Sequence, residues 1–381
     1  MIEKIRQQFI EKFITQPLLV TAPGRVNLIG EHTDYNQGFV LPGAIDKKIV
    51  VAIARNEGKM INVFANEFNE LYSFSPMDIK QASGWKNYIL GVTHYIQEQT
   101  KPINGGLDIM IDGDIPVGAG MSSSAALCSG YGFALNELFN LGISRLDLAY
   151  IGQKTEHNYA GAKVGIMDQF ASLHGKAGHL IRLDCRSMEY EYIPFNFPSY
   201  KIVMVNSMVK HSLAATEYNL RRQQCEEGVS ILKKHYPGIN ALRDISPEQL
   251  AEHKNELPEK VYSRCKYVVE EKDRLLKGCE ALKKGDLETF GQYMYQTHHG
   301  LSKEYEVSCP ELDFLVEQAK PVDAVAGSRM MGGGFGGCTI NIVESNGVTD
   351  FVNHIQKAYE NKYHKIPEVY ITQIEDGVKV V

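Results

Sequence analysis

Near the amino terminus, apolar residues recur at helical spacing. Ile2, Ile5, Phe9 and Phe13 lie three or four positions apart, which predicts an amphipathic helix with one face on a core. The pattern then changes to strands. Short apolar runs at 50–54 and 61–64 read as strands. Leu107, Ile109 and Ile111 alternate with Asp108, Met110 and Asp112, as in a strand with one buried face. Pro116 ends that run. A glycine-bearing turn follows, then a long apolar helix over 122–139, stopped by Gly142.

The segment with Pro194, Asn196, Pro198 and Ser199 marks a boundary, and we place the division at 197/198. The run at 202–205 is continuously apolar and reads as a buried strand. Mostly helical sequence extends from there to about residue 320. In it, Val261, Cys265, Val268, Leu275, Cys279 and Leu282 form one stripe, which at this length predicts a core-facing helix rather than a coiled coil. The chain returns to strands at 338–343 and 369–374, with a helix between them. No internal repeat is visible, and the pattern is α+β in two halves.

A chain of 381 residues has room for two domains and a sizeable core. Its 44% hydrophobic and 23% charged content is ordinary for a globular protein. A net charge of −6 argues against nucleic acid or an anionic membrane as the main partner. No apolar run is long enough to span a bilayer, and no apolar signal core opens the chain. Seven scattered cysteines without a CxxC pair suit reduced thiols in a cytoplasmic protein, not a disulfide framework or a zinc site.

Four segments could carry chemistry. In the first, the apolar run 26–29 breaks at Gly30 and is followed by Glu31, His32, Thr33 and Asp34, with Arg25 just upstream. Such a density of directional acceptors suits a neutral ligand rich in hydroxyls. A solvated turn is the plainer alternative, because Asn36, Gln37 and Gly38 come next. In the second, Pro116-Val-Gly-Ala-Gly-Met-Ser-Ser-Ser-Ala-Ala-Leu127, two glycines allow close backbone approach and three serines open a helix. Unpaired N–H groups at that helix start suit a phosphate, and a plain capped helix is the alternative. No Lys-Ser/Thr follows the glycines, so this is not a Walker A loop.

The third segment, Gly332-Gly-Gly-Phe-Gly-Gly337, fits GxGxxG. A dinucleotide site is rejected, because the glycines lead into a strand and no strand is evident before them. The run either lines a pocket or forms a loose loop. The fourth holds Asp168, with Glu156 and His157 upstream. One carboxylate could hold a metal and the other act on a substrate proton, or Asp168 could simply cap a helix. His298–His299 lacks metal-site spacing and reads as structural, and Trp85 is the single tryptophan.

In this order the segments resemble the galactokinases, a family of the GHMP small-molecule kinases, over nearly the whole chain. Residues 24–35 resemble the galactokinase signature, 116–127 the GHMP nucleotide loop and 329–339 its glycine-rich third motif. Asn206-Ser207, His211-Ser212 and Glu217-Tyr218 with Arg221-Arg222 resemble a further galactokinase segment. Met121 replaces the leucine more usual in the nucleotide loop, a change conservative in volume. The resemblance implies a two-domain GHMP kinase fold. Residues 1–197 would be ribosomal-protein-S5-domain-2-like and residues 198–381 ferredoxin-like.

It also implies ATP-dependent phosphorylation of the anomeric C1 hydroxyl of galactose, assisted by Mg2+. Asp168 would be the base, and Arg25 would stabilise charge near the transferring phosphoryl group. Glu31, His32, Thr33, Asp34, Gly165 and Tyr218 would bind the sugar. Gly118, Ala119, Gly120, Met121, Ser122, Ser123 and Ser124 would wrap the phosphates, with Trp85 beside adenine. Ser124 and Glu156 would hold magnesium. A cytoplasmic monomer with small-molecule partners follows. Two rivals remain: a kinase for N-acetylgalactosamine or a related sugar, and a non-catalytic galactose and ATP sensor.

Overall fold

A computed structural model describes residues 1–116, 119–209 and 214–381, with the side chains of all of these except 214 and 215. Gly118, assigned to the phosphate loop, and the pair His211-Ser212 lie outside the described residues. The first half of the chain runs α1 (Ile2–Phe13), β1 (Leu18–Asn27), β2 (Phe39–Val40), β3 (Pro42–Asn56), β4 (Ile61–Ala65), β5 (Glu70–Phe74) and α2 (Lys86–Gln99). It continues through β6 (Gly106–Gly113), α3 (Ser123–Phe139), α4 (Arg145–Asn158), α5 (Met167–His174), β7 (His179–Asp184) and β8 (Tyr190–Pro194). The second half runs β9 (Tyr200–Asn206), α6 (Ala214–Leu232), α7 (Pro247–Glu252), α8 (Glu259–Lys283), α9 (Leu287–His299) and α10 (Pro310–Ala319). It ends with β10 (Val325–Met330), β11 (Cys338–Glu344), α11 (Val348–Tyr363), β12 (Glu368–Thr372) and β13 (Lys379–Val380).

Among the described residues the strands form three sheets. The largest is mixed, in the order β13-β1-β3-β6-β4-β5, with β4 and β6 parallel. The second is antiparallel, β10-β11-β9-β12, and the third is β2-β7-β8. In the second sheet a strand, helices, two strands, a helix and a final strand give the ferredoxin-like βαββαβ order. The division expected at 197/198 passes between β8 and β9, while β13 returns to the first sheet through Val20 and Val380.

The N-terminal helix forms because its apolar stripe has a surface to cover. Ile5 and Phe9 are fully buried against Leu19, Val50, Ala52 and Met110, and each contributes roughly 1.5–3 kcal/mol by leaving water. That same cover corrects the expectation for 107–112. Strand β6 is buried on both faces for most of its length, because α1 seals the face carrying Met110 and the α2–α5 layer seals the other. Asp108 is accommodated there by amide donors from Asn56 (2.7 Å) and Asn62 (2.8 Å). A second correction concerns the glycine run: strand β10 does precede it, paired antiparallel with β11. Gly327, Ser328 and Arg329 hide that strand in the sequence, yet both Ser328 and Arg329 are fully buried. The glycines therefore turn a hairpin, and rejection of a dinucleotide loop stands.

A central core joins the two halves. Val26 at the end of β1 and Leu28 and Ile29 just after it pack with Leu275, Phe290, Met204 and Ile340. The loop after β1 is thereby held between the sheets, beside the start of α3, the start of α5 and the β10–β11 hairpin.

Candidate active site

The loop 28–38 is built by its own polar groups. The Thr33 hydroxyl reaches the carbonyl oxygens of Gly30 (2.8 Å) and Phe39 (2.5 Å), and the Asn36 amide donates to His32 O (2.9 Å). These bonds hold His32 in the left-handed region, with φ of 62°. Thr33 is thus occupied within the loop and does not line the adjoining cavity, so the structure does not place it with the sugar-site candidates. Turn-forming side chains and ligand-facing ones look alike in sequence, which explains the inclusion of Thr33.

Arg25, near the end of β1, forms a two-pronged pair with Asp168 in the first turn of α5. Its Nε donates to Oδ1 and its Nη2 to Oδ2, both at 2.8 Å, while Nη1 donates to Gly120 O at 2.5 Å. The Ser122 hydroxyl also donates to Asp168 Oδ2. Three donors therefore occupy Asp168. A carboxylate accepts about four, which leaves one position for a substrate hydroxyl. Burial by itself lowers the Arg25 pKa, but Asp168 and, behind it, Glu31 and Asp34 outweigh this and raise it.

A cavity of about 140 Å³ opens beside this pair, lined by Arg25, Glu31, His32, Asp34, Val164, Gly165, Met167, Asp168, Tyr218, Gly332 and Gly333. All the sugar-site candidates except Thr33 meet there. Burial, reinforced by Asp168 and Glu31, pushes the Asp34 carboxyl up to about 6. Burial drives His32 down to about 4, so the imidazole is neutral at physiological pH. Its Nδ1 lies 2.7 Å from Tyr35 Oη and its Nε2 lies 3.3 Å from Gly333 O. A carbonyl only accepts, so Nε2 carries the proton and Nδ1 accepts from Tyr35. Tyr218 packs against the His32 ring at 5.2 Å. Its hydroxyl is held protonated by burial and by Asp34, Asp168 and Glu31. Arg221, one turn further along α6, ties Tyr218 in place by donating to Tyr305 O (2.8 Å) and Glu306 O (2.7 Å).

Gly165 is required by contact. A Cβ there would fall 1.6 Å from Asp34 Oδ2. Gly334 serves the hairpin: its φ is +85° and an added Cβ would lie 2.1 Å from Val307 O. The glycine run thus lines a pocket. Gly332 N donates to Glu31 Oε1 (2.9 Å), and Gly333 O receives His32. Sequence reasoning did not assign Arg329, which is fully buried and donates through Nη2 to Glu31 Oε1 at 3.0 Å. It also donates through Nε to Leu28 O (2.7 Å). The third-motif resemblance began at this residue and was the available signal. Tyr35, the last residue of the signature segment, is linked at 2.8 Å to Tyr305 behind His32, and Tyr305 carried no signal.

A larger cleft of about 760 Å³ adjoins the start of α3, with Trp85, Asn87, Tyr88, Phe68, Ser123, Ser124 and Pro116 among its lining residues. Trp85 is oriented by its Nε1 donating to Glu70 (3.0 Å) and stands parallel to Phe68. Ala119 and Met121 are buried in the central core, so they support the loop and offer only backbone to a ligand. Gly120 contributes its carbonyl to Arg25. Ser124 donates to Glu156 Oε1 (3.3 Å), which also accepts from Gln169 (2.8 Å). Both are neutral donors to a carboxylate that is 6% exposed. Burial, with Asp168 nearby, raises Glu156 to about 7. This donor set, hard oxygens around a carboxylate short of positive charge, fits Mg2+.

The chain matches the family models for the GHMP kinases N terminal domain over 87–176, the galactokinase galactose-binding signature over 7–55 and the GHMP kinases C terminal over 279–361. It is 40% identical to the galactokinase of Roseiflexus sp., covering 98% of this chain and 96% of that one. It is 38% identical to the galactokinase of Bos taurus, covering 100% and 97%. The crystal structure of Lactococcus lactis galactokinase complexed with galactose superposes with a TM-score of 0.95 at 32% identity, over 100% and 99% of the chains. Methanococcus jannaschii mevalonate kinase shares the fold, with a TM-score of 0.70 at 19% identity over 95% and 99%.

Proposed function

Given that the chain belongs to the galactokinase family of GHMP kinases, we propose that Asp168, Arg25 and the surrounding cavity carry its transfer of the γ-phosphate of ATP to the C1 hydroxyl of α-D-galactose. The products are α-D-galactose 1-phosphate and ADP. The observation that carries this site assignment is the Arg25–Asp168–Ser122 cluster, which stands between a small polar cavity and the serine-rich start of α3.

The small cavity takes the sugar. Asp34 and Glu31 accept from its hydroxyls, and the protonated Tyr218 hydroxyl can donate. Asp168 uses its remaining acceptor position for the C1 hydroxyl and takes its proton as the oxygen attacks phosphorus. Arg25, joined to both Asp168 and Gly120, places positive charge where the transferring phosphoryl group gathers negative charge. Ser122, Ser123 and Ser124 present the helix start to the phosphates, and Trp85 offers the base a flat apolar wall. Ser124 and Glu156 would hold Mg2+, whose chemistry is to neutralise phosphate oxygens. We further assign the division at 197/198, a monomer and a cytoplasmic location. Among the described residues no helix is long and apolar enough to cross a membrane.

The test is ADP release with a panel of hexoses and saturating Mg2+-ATP. Galactose should give the highest kcat/KM. A higher value for an acetamido sugar overturns the substrate, and no ADP release with any sugar favours the sensor reading.

A further inference from the structure

Away from the active site, three short segments bring two imidazoles and a carboxylate together at the surface. His235 lies in the turn after α6, His253 caps the end of α7 and Glu256 follows in the helical turn Lys254–Glu256. Glu256 Oε2 is 2.7 Å from His235 Nε2, and Oε1 is 2.8 Å from His253 Nδ1. The two rings stack with centroids 3.9 Å apart and planes 20° apart. One ligand atom from each of the three residues lies within 4.8 Å of the others.

We propose that His235, His253 and Glu256 form a binding site for a transition-metal dication of the Zn2+ class. Two imidazole nitrogens and a carboxylate oxygen are a donor set that such an ion takes, with a fourth position left to water. Ligand atoms about 2.0–2.1 Å from a tetrahedral ion lie roughly 3.3 Å from one another. The two His–Glu separations, 2.7 and 2.8 Å, open by about half an ångström to reach that spacing, which small rotations of the exposed Glu256 and His235 side chains supply. An imidazole nitrogen that ligates an ion carries no proton, so each ring would meet the ion with its Glu256-facing nitrogen and keep its proton on the other.

The surroundings hold the donors ready. The backbone closes both turns, His235 N to Leu232 O at 3.0 Å and Glu256 N to His253 O at 3.0 Å. The Tyr236 ring stands edge-on to His253 at 5.5 Å, and its hydroxyl donates to Glu252 at 3.1 Å. The His253 side chain is only 12% exposed, against 34% for His235 and 47% for Glu256. One side of the site is therefore walled and the other is open to solvent. Two imidazoles select against Mg2+, which prefers oxygen ligands and keeps its waters, so this site and the Ser124–Glu156 pair would hold different ions. A bound ion would pin the end of α6, whose first turns carry Tyr218, to α7.

The experiment titrates Co2+ into the full chain after chelator treatment and follows visible absorption, then displaces it with Zn2+. One Co2+ per chain with tetrahedral absorption, displaced by Zn2+ and untouched by millimolar Mg2+, is expected. Single variants His235→Ala and His253→Ala should each weaken binding ~10- to 100-fold, and the double variant should lose it. Unchanged turnover with Mg2+-ATP in all three shows that they are folded. Equal Co2+ uptake by the wild type and the double variant, or no tetrahedral absorption at all, overturns the proposal.

Discussion

Gly165→Ala isolates a single contact. Gly165 does not occupy the left-handed region, so alanine fits its backbone and the added methyl group acts by clash alone. That Cβ would lie 1.6 Å from Asp34 Oδ2, 2.5 Å from its Cγ and 3.1 Å from its Cβ. Reaching an ordinary 3.4 Å contact moves the oxygen by about 1.8 Å. A hydrogen bond tolerates only about half an ångström around its usual length, so Asp34 loses its bond to the sugar. A hydrogen bond to a charged group contributes about 1.5–3 kcal/mol, which is ~10- to 150-fold in KM for galactose. KM for ATP should stay within about twofold. Steady-state kinetics in both substrates measures this, and a double-mutant cycle sharpens it. Asp34→Ala removes the clashing oxygen, so adding Gly165→Ala to it should cost little more, a strong departure from additivity. An unchanged KM for galactose, or equal rises for galactose and ATP, refutes the placement of Asp34 over Gly165.

Asp168→Asn keeps the shape beside Arg25 but removes the proton acceptor, so kcat should fall ~100-fold or more with unchanged far-UV circular dichroism; near-normal turnover removes Asp168 from its role. Arg329→Met leaves Glu31 buried without its guanidinium partner, and the urea midpoint should report a loss of about 3–5 kcal/mol. Adding Glu31→Gln should recover part of it, and failure to do so means that the carbonyls of Leu28 and Asn27, to which Arg329 also donates, and not the charge, need Arg329. Asp34 stands raised from 3.8 to about 6, so the native state holds a proton that the unfolded state releases, and stability falls as pH rises through that window. His32, lowered from 6.5 to about 4, acts in the opposite sense, so the wild type partly hides both. Asp34→Asn removes one of them: relative to wild type it should gain roughly 1 kcal/mol between pH 5 and 7, measured by urea unfolding, and a pH-independent difference contradicts the shift.

Much of the fold was legible because its signals are local. The stripe Ile2, Ile5, Phe9 and Phe13, the run 202–205 and the helix that opens after Ser122 each announce their element within a few residues. The three motif segments named their chemistry in the same way, and five of six sugar-site candidates and both catalytic ones line one cavity. The errors share one cause. The alternation at 107–112 looked half-buried because nothing in it shows that α1 covers the other face. Strand β10 stayed hidden because Arg329 and Ser328 look exposed until their partners are known. Thr33 looked like a ligand contact because its bonds to Gly30 and Phe39 are set by the turn.

By itself, the sequence determined several of the elements, the family and the residue types brought to the chemistry, since periodicity, turn propensity and motif spacing act along a few residues. Only the tertiary structure decided which of those residues touch. Arg25 meets Asp168 across 143 positions, and Arg329 meets Glu31 across 298. Burial and charge pairing depend on distance in space, and the chain brings those partners together only once the hairpin, the loop and the two helix starts close on one cavity.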